Sequence, residues 1–260
     1  MELARVFPTK TNMCPTDKDV YFDEPDLYTP DYKEIHISVT FTWDIDKANR
    51  LAKSWDKKGS VKVGGVAING ESKEPFKSGM YLKNGVTITS RGCPNNCSFC
   101  LIKNPLIEFD DFPEGNIIQD NNILACSDHH RRLVFDMLKN QKAIEFKGGL
   151  ESRRVTPQIA EELRSLRIKS LWLACDSDND IKPLRKAVEI LNKVGFTRNH
   201  LYCYVLIGKE EQRLREVFNI GCLPFSQLYQ PPQRVEYTKE MKRLNRIFSR
   251  PAILKSVCKI

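Results

Sequence analysis

The chain has 260 residues, 41% hydrophobic and 28% charged, a composition typical of a globular protein of one or two domains. No apolar run approaches the roughly 18 residues of a membrane-spanning helix, so we expect no membrane association of that kind. The net charge is +8 at pH 7. Nine cysteines, an odd number, and a start without the apolar segment of a secretory leader predict reduced thiols and a cytoplasmic location.

The N-terminal third of the chain has two contrasting parts. Residues 1–34 are rich in Pro, Asp and Thr and carry eight acidic against four basic side chains, which predicts an irregular arm. Alternating β-branched residues over 34–43 predict a strand, apolar positions at helical spacing predict a helix after it, and residues 61–63 predict a second strand. Residues 35–80 are therefore predicted to form a small Rossmann-like βαβ fragment.

Strand and helix patterns then alternate at intervals of about one βα unit. Helices with N-cap signals at Ser127 and Thr156 lie between strands. Six such units predict parallel strands covered by helices, two units short of a closed eightfold barrel. The predicted strands are residues 86–90, 116–119, 143–147, 170–174, 201–207 and 223–229.

Three cysteines follow the first of these strands, in the run TSRGCPNNCSFC. Cys93, Cys97 and Cys100 have the spacing C-x₃-C-x₂-C. Three thiolates this close together can hold three irons of a 4Fe–4S cluster. The fourth iron then lacks a nearby protein thiolate and stays open to a ligand, as the metal does in an open catalytic zinc site. A zinc site made from Cys97, Cys100, Cys126 and a histidine is the alternative.

The cysteine spacing, its place after a strand and the aromatic Phe99 resemble the signature of the radical S-adenosylmethionine (radical SAM) family. The resemblance implies an α/β fold whose core, over residues 81–235, is an open six-unit (βα)₆ partial TIM barrel. The core and the Rossmann-like fragment also resemble methylthiotransferase-like and cobalamin-type members of the family. The three extra cysteines of the former and the cobalamin motif of the latter are absent from the sequence.

For function, the resemblance implies an enzyme with a 4Fe–4S cluster that reductively cleaves S-adenosylmethionine. The resulting 5′-deoxyadenosyl radical abstracts hydrogen from a substrate that the sequence does not assign. Such an enzyme needs a one-electron reductant such as flavodoxin or ferredoxin. The competing hypothesis is an iron–sulfur nucleic-acid-binding or electron-transfer module that does not cleave S-adenosylmethionine.

The resemblance also implies contacts with S-adenosylmethionine at the carboxyl ends of the strands. The end of the second strand would meet the amino group, and Arg153, preferred to Arg154, would meet the carboxylate. Cys175, after the fourth strand, is a candidate hydrogen donor to a substrate radical, with a buried structural thiol as the alternative. The residues assigned to the cofactor are Phe99, Asp120, Asn121, Asn122, Lys147, Gly148, Gly149 and Arg153.

The C-terminal segment is strongly basic. Residues 239–260 carry seven basic side chains against the single acid Glu240. Apolar residues recur there at helical spacing, so residues 236–260 are predicted to form a basic C-terminal helix. The charge indicates either a nucleic-acid partner or a solvated helix face. It is the reason for slightly favouring a nucleotide or nucleic-acid base as substrate over a peptide or small metabolite.

Overall fold

The computed structural model contains two compact units, the first formed mainly by Met1–Val86 and the second beginning at Thr87. Each unit has its own buried hydrophobic core. In the described part of the chain, no helix is both long and apolar enough to cross a lipid bilayer. The structure describes residues 1–69, 76, 77, 79–207, 211–231, 235–250, 253, 254 and 256.

The first unit is a four-stranded parallel sheet with the strand order β2-β1-β3-β4. Its elements are β1 (Leu3–Val6), β2 (Val20–Tyr21), β3 (Glu34–Ser38), α1 (Ile45–Trp55), β4 (Ser60–Gly64) and α2 (Val66–Asn69). Helix α1 buries Ala48, Leu51 and Trp55 in the same core as Ile35 and Ile37 of β3. The predicted βαβ fragment is therefore present as β3, α1 and β4.

The prediction of an irregular arm over residues 1–34 was wrong in part. Strand β1 lies inside the sheet, between β2 and β3, and Ala4 and Val6 are fully buried. Its four residues are too few to show a strand pattern by themselves. Pairing with β3, about 30 residues later in the chain, fixes the conformation of β1.

The second unit is built on a six-stranded sheet with the order β12-β11-β10-β9-β8-β5. Its first elements are β5 (Gly85–Thr87), β6 (Ser90–Arg91), β7 (Ile107–Glu108), β8 (Gly115–Ile118), α3 (Asp128–Lys139), β9 (Ile144–Leu150) and α4 (Pro157–Arg164). They are followed by β10 (Ile168–Ala174), α5 (Ile181–Lys193), β11 (Leu201–Ile207), α6 (Glu211–Ile220), β12 (Leu223–Leu228) and α7 (Lys239–Phe248). Strands β8 to β12 pair in parallel, with a helix after each of β8 to β11. All six predicted strands are present, so the predicted α/β class is confirmed.

Local sequence signals place the connecting helices. The hydroxyl of Ser127 accepts a hydrogen bond from the backbone of His130 at 3.1 Å and begins α3. Thr156 caps α4 in the same way, with Pro157 at the first helical position. The basic C-terminal helix predicted over residues 236–260 is shorter in the structure: α7, capped by Thr238, ends at Phe248.

The sheet of the second unit has two different faces. Along β11 the odd-numbered residues Leu201, Cys203, Val205 and Ile207 are buried in the core with the helices. The even-numbered side chains project to the opposite face, which carries an aromatic cluster: the rings of Trp172 and Tyr202 stack at 4.6 Å, with Tyr204 and Phe225 beside them. Tyr204 also lines a cavity, described below, which therefore lies on the same side of the sheet as the aromatic cluster.

Candidate functional site

A cavity of about 500 Å³ lies at the carboxyl ends of strands β8 to β12. Segments that follow or end these parallel strands form its wall together with the cysteine loop, as ligand sites in parallel α/β sheets do. The three cysteines predicted to hold a cluster line the cavity. So do all eight residues assigned to the cofactor: Phe99, Asp120, Asn121, Asn122, Lys147, Gly148, Gly149 and Arg153.

The cysteine loop is closed at its base. Strands β6 and β7 pair in antiparallel fashion, and the backbone N–H of Cys93 donates to the carbonyl of Asn104 at 3.1 Å. Gly92 adopts φ +83°, and a Cβ there would lie 2.0 Å from the carbonyl oxygen of Pro105. Only glycine satisfies both the positive φ and this close approach. Backbone contacts therefore close the base of the loop that carries the three thiols.

Inside the loop, the thiols are close enough to influence one another. Burial, and after it the neighbouring thiols of Cys100 and Cys93, raise the pKa of the Cys97 thiol. The backbone N–H of Ile102 donates to the sulfur of Cys100 at 3.4 Å. A bound metal would remove this electrostatic cost of ionising neighbouring thiols, because metals bind the thiolate form.

The segment after β8 holds the cysteine loop in place, largely through Asp120. The buried Asp120 carboxylate accepts hydrogen bonds from the backbone N–H of Thr89 at 2.6 Å, from that of Ser90 at 3.1 Å and from the Thr89 hydroxyl. Burial raises the pKa of Asp120, whereas these hydrogen bonds act in the opposite direction. The side-chain oxygen of Asn121 accepts from the N–H of Gly92 at 3.0 Å. Asp120 and Asn121 thus position the loop, and their accepting atoms face the loop backbone.

Asn122 has a different role from its two neighbours. Its amide nitrogen donates to Glu151 at 2.8 Å and to the sulfur of Cys93 at 3.5 Å. Its oxygen is buried and has no hydrogen-bond partner among the described residues, and the same holds for the hydroxyl of Ser152. Both residues line the cavity, but these two atoms are enclosed by protein and do not face its open space. Sequence reasoning missed Ser152, which has no motif beyond its place after β9.

The end of β9 brings backbone close to the cavity. A Cβ on Gly148 would lie 1.8 Å from the carbonyl oxygen of Asp120. Gly149 has φ +102°, and no atom lies within 4 Å of its Cβ position. The predicted close approach of backbone to a ligand is therefore possible at Gly149, while Gly148 packs against the segment that holds the cysteine loop.

The charged residues of β9 are paired. The ammonium of Lys147 lies 3.2 Å from the carboxylate of Glu145, which also binds Lys169 at 3.1 Å. Burial opposes ionisation of Glu145, but the two ammonium groups outweigh it and lower the pKa. The Lys147 carbonyl accepts a hydrogen bond from the hydroxyl of Tyr204 at 2.9 Å. Lys147 therefore belongs to the cavity wall as one partner of an ion pair.

Two arginines follow β9, and only one of them reaches the cavity wall. Arg153 lines the cavity and pairs with Asp180 at 2.6 Å. Arg154 pairs with Glu151 at 2.7 Å and is not among the lining residues. Arg153 is thus the better placed of the two to meet an anionic group.

The structure contradicts the placement of Cys175 at the mouth of the site. This side chain is fully buried in the hydrophobic core, and its thiol donates to the carbonyl of Ser177 at 3.8 Å. Burial raises the pKa of the Cys175 thiol to about 12. The neighbouring Ala174 and Asp176 line the cavity, so Cys175 points to the helix side of the sheet. It is the buried structural thiol of the alternative interpretation.

Asp176 is a cavity residue that sequence reasoning did not assign. Its carboxylate accepts a hydrogen bond from the backbone of Leu206 at 2.9 Å. Burial raises its pKa to about 6, with Asp180 acting in the same direction and Arg213 opposing it. Because this pKa lies above the unfolded value, Asp176 adds stability at low pH, and that contribution is lost as pH rises through about 6.

We therefore predict that Asp176→Asn, which keeps an acceptor for Leu206, stabilises the protein at neutral and alkaline pH. The expected gain in unfolding free energy is about 1–3 kcal/mol at about pH 8, falling towards zero near about pH 4. Urea unfolding of both proteins across this pH range measures the gain. A difference that does not change with pH would contradict the assigned titration.

The three loop cysteines are donors of the kind that holds an iron–sulfur cluster, in which each thiolate binds a different iron. Two residues of the zinc alternative make other contacts: the Cys126 thiol donates to the carbonyl of Asn122 at 3.9 Å, and the His130 ring bonds to Thr89 at 3.0 Å.

No known protein family, curated protein or solved structure matches this chain. The functional argument therefore depends on the residues of the cavity. Those residues combine three gathered thiols, two unpartnered buried polar atoms and charges of both signs.

Proposed function

We propose that the chain is a radical SAM enzyme that holds a 4Fe–4S cluster through Cys93, Cys97 and Cys100. The observation that supports it most strongly is that these cysteines and all eight residues assigned from the family pattern line one cavity. The sheet is also compatible with the open six-stranded partial barrel of the proposal, because its order ends in two edge strands, β5 and β12.

When bound, the cluster and S-adenosylmethionine together supply reductive cleavage of the sulfonium to a 5′-deoxyadenosyl radical, which takes hydrogen from a substrate. The chain contributes position and electrostatics. Asn122 and the backbone of Ile102 donate hydrogen bonds to cysteine sulfurs. These hydrogen bonds would spread the thiolate charge and so favour reduction of the cluster. Flavodoxin or ferredoxin is the class of reductant that fits this requirement.

The cavity offers complementary groups for the methionine part of the cofactor. The end of β8 is the segment assigned to the ammonium, because Asp120, Asn121 and Asn122 all line the cavity and carry acceptor oxygens. Arg153 is a donor for the carboxylate, although it must share its charge with Asp180. The half-buried ring of Phe99 provides apolar cover beside the cysteines.

The proposal predicts cleavage of S-adenosylmethionine by the isolated chain. Protein reconstituted anaerobically with iron and sulfide, then reduced, should convert S-adenosylmethionine to 5′-deoxyadenosine and methionine, measured by liquid chromatography and mass spectrometry. Unreduced protein is the control and should form neither product. A protein that carries the cluster but forms no 5′-deoxyadenosine would contradict the proposal.

That result would favour a second candidate, an iron–sulfur module that binds nucleic acid or transfers electrons. The exposed basic residues of α7 support this second candidate. The two candidates share the cluster and differ in whether the cavity binds and cleaves S-adenosylmethionine.

A further inference from the structure

The carboxylate of Glu151 connects three segments around the cysteine loop. It accepts a hydrogen bond from the side-chain amide of Asn122, just after β8, at 2.8 Å. It also binds the guanidinium of Arg154 at 2.7 Å. The side chain of Asn95, inside the cysteine loop, donates a further hydrogen bond to it. One largely buried carboxylate therefore links the end of β8, the turn after β9 and the loop that carries the thiols.

Glu151 is ionised in this environment. Burial opposes ionisation, but the hydrogen bonds from Asn122, Arg154 and Asn95 outweigh it and lower the pKa of Glu151. An ionised carboxylate has acceptor atoms and no donor. Any polar group that faces the Glu151 carboxylate must therefore present a hydrogen-bond donor to it.

This requirement fixes the orientation of the Asn122 amide. The nitrogen of a side-chain amide donates and its oxygen accepts, and turning the group over exchanges their places. The nitrogen of Asn122 faces Glu151 and also donates to the sulfur of Cys93 at 3.5 Å. In the opposite orientation the amide oxygen would lie against the carboxylate, and two acceptors repel each other. Glu151 thus selects the orientation in which Asn122 offers a donor to Cys93.

The oxygen of Asn122 shows that this orientation is imposed by its surroundings. It is buried and has no hydrogen-bond partner among the residues that the structure describes. An unpaired buried acceptor is unfavourable, and such an exception in a folded protein needs a physical reason. The two hydrogen bonds of the Asn122 nitrogen, one to a charged group and one to a cysteine sulfur, supply that reason.

We infer that Glu151 is a positioning residue that sets the reduction potential of the cluster by holding the Asn122 amide as a donor to the sulfur of Cys93. The presence of a cluster rests on the proposed function, whereas the orientation of the amide does not. Reduction adds negative charge to the cluster, and hydrogen bonds to its sulfurs favour that change. Without Glu151 the donor is no longer held, so the cluster should become harder to reduce.

The test compares two double variants that remove the same pair of charges. Glu151→Ala with Arg154→Ala leaves the Asn122 amide without its acceptor. Glu151→Gln with Arg154→Gln is the matched control, because the glutamine oxygen at position 151 can still accept from Asn122. The measurement is a redox titration of the reconstituted protein in the absence of S-adenosylmethionine.

At a fixed potential, we expect the ratio of reduced to oxidised cluster to be about tenfold lower in the alanine pair than in the glutamine pair. This ratio corresponds to a midpoint potential about 59 mV more negative for a one-electron couple. Asn122→Ala, which removes the donor itself, should shift the potential in the same direction. Equal potentials in the two double variants, or easier reduction of the alanine pair, would overturn the inference.

A second measurement uses cluster-free protein, so that poor cluster uptake by a variant cannot hide the answer. In nuclear magnetic resonance spectra, a side-chain amide proton of Asn122 that faces a carboxylate should resonate downfield of an ordinary side-chain amide. We expect this downfield shift to be lost in the alanine pair and to be largely kept in the glutamine pair. An Asn122 amide that is unchanged in the alanine pair would overturn the inference.

Failure of the proposed function would give a different result. A cluster that shows the expected difference in potential, in a protein that forms no 5′-deoxyadenosine, would contradict the proposed function and leave the role of Glu151 standing. Formation of 5′-deoxyadenosine by a protein whose two double variants have equal potentials would do the reverse.

Discussion

Replacing any one of Cys93, Cys97 or Cys100 by Ala is expected to abolish the iron–sulfur cluster. Each thiolate would bind a different iron, and among the described residues the cavity wall supplies three thiols. With one removed, two irons of the cube would lack a protein ligand. Iron and sulfide content per chain after anaerobic reconstitution, together with the visible absorbance of the cluster, measures the loss.

Two buried cysteines outside the cavity wall serve as matched controls. Cys126→Ala and Cys175→Ala remove a thiol from the core of the same unit, and both variants should retain iron at the wild-type level. Retention of iron by the loop variants would contradict the ligand assignment. Loss of bound zinc from Cys126→Ala would instead support the four-ligand zinc site.

Gly148→Ala is expected to be strongly destabilising. Its Cβ would lie 1.8 Å from the carbonyl oxygen of Asp120, a distance that forces the ends of β8 and β9 apart. The same movement disturbs the hydrogen bonds that Asp120 makes to the start of the cysteine loop. We expect a loss of about 3 kcal/mol or more in unfolding free energy, measured by urea denaturation.

Gly149→Ala is the control for that substitution. No atom lies within 4 Å of its Cβ position, so the cost is limited to backbone strain at φ +102°, about 1–2 kcal/mol. A Gly148→Ala protein as stable as wild type, or more stable than Gly149→Ala, would show that the two strand ends do not pack as described.

The elements that could be predicted from the sequence are those with strong local signals. Strand β11 is an unbroken apolar run of seven residues, and Thr156 with Pro157 marks the start of α4, so both were predicted correctly. Strand β1 was missed because its four residues gain their conformation from neighbours far along the chain. Short strands of this kind are specified by tertiary pairing and leave little trace in the local pattern.

In the candidate site, too, local features were predicted and long-range contacts were not. The spacing of Cys93, Cys97 and Cys100 is local, and the structure gathers them at one cavity. The direction of the Asp120 carboxylate is not local, because its donors, Thr89 and Ser90, lie about 30 residues earlier. Sequence could place Asp120 at the carboxyl end of a strand but could not show that its acceptors were already engaged.

Cys175 was misplaced for a different physical reason. Residues 170–173 of β10 are all buried, so burial alternation does not reveal which face Cys175 occupies just beyond the strand. The aromatic cluster covers one face, and helices cover the other. A strand buried on both sides gives no period from which a side chain's direction can be predicted.

The central claim is that one iron of the cluster has no protein ligand and is free to bind S-adenosylmethionine. Electron paramagnetic resonance of the anaerobically reconstituted, reduced protein, recorded with and without S-adenosylmethionine, tests it most directly. The account predicts a 4Fe–4S signal that changes when S-adenosylmethionine is added. Protein that takes up only zinc, or a cluster signal that S-adenosylmethionine leaves unchanged, would contradict it.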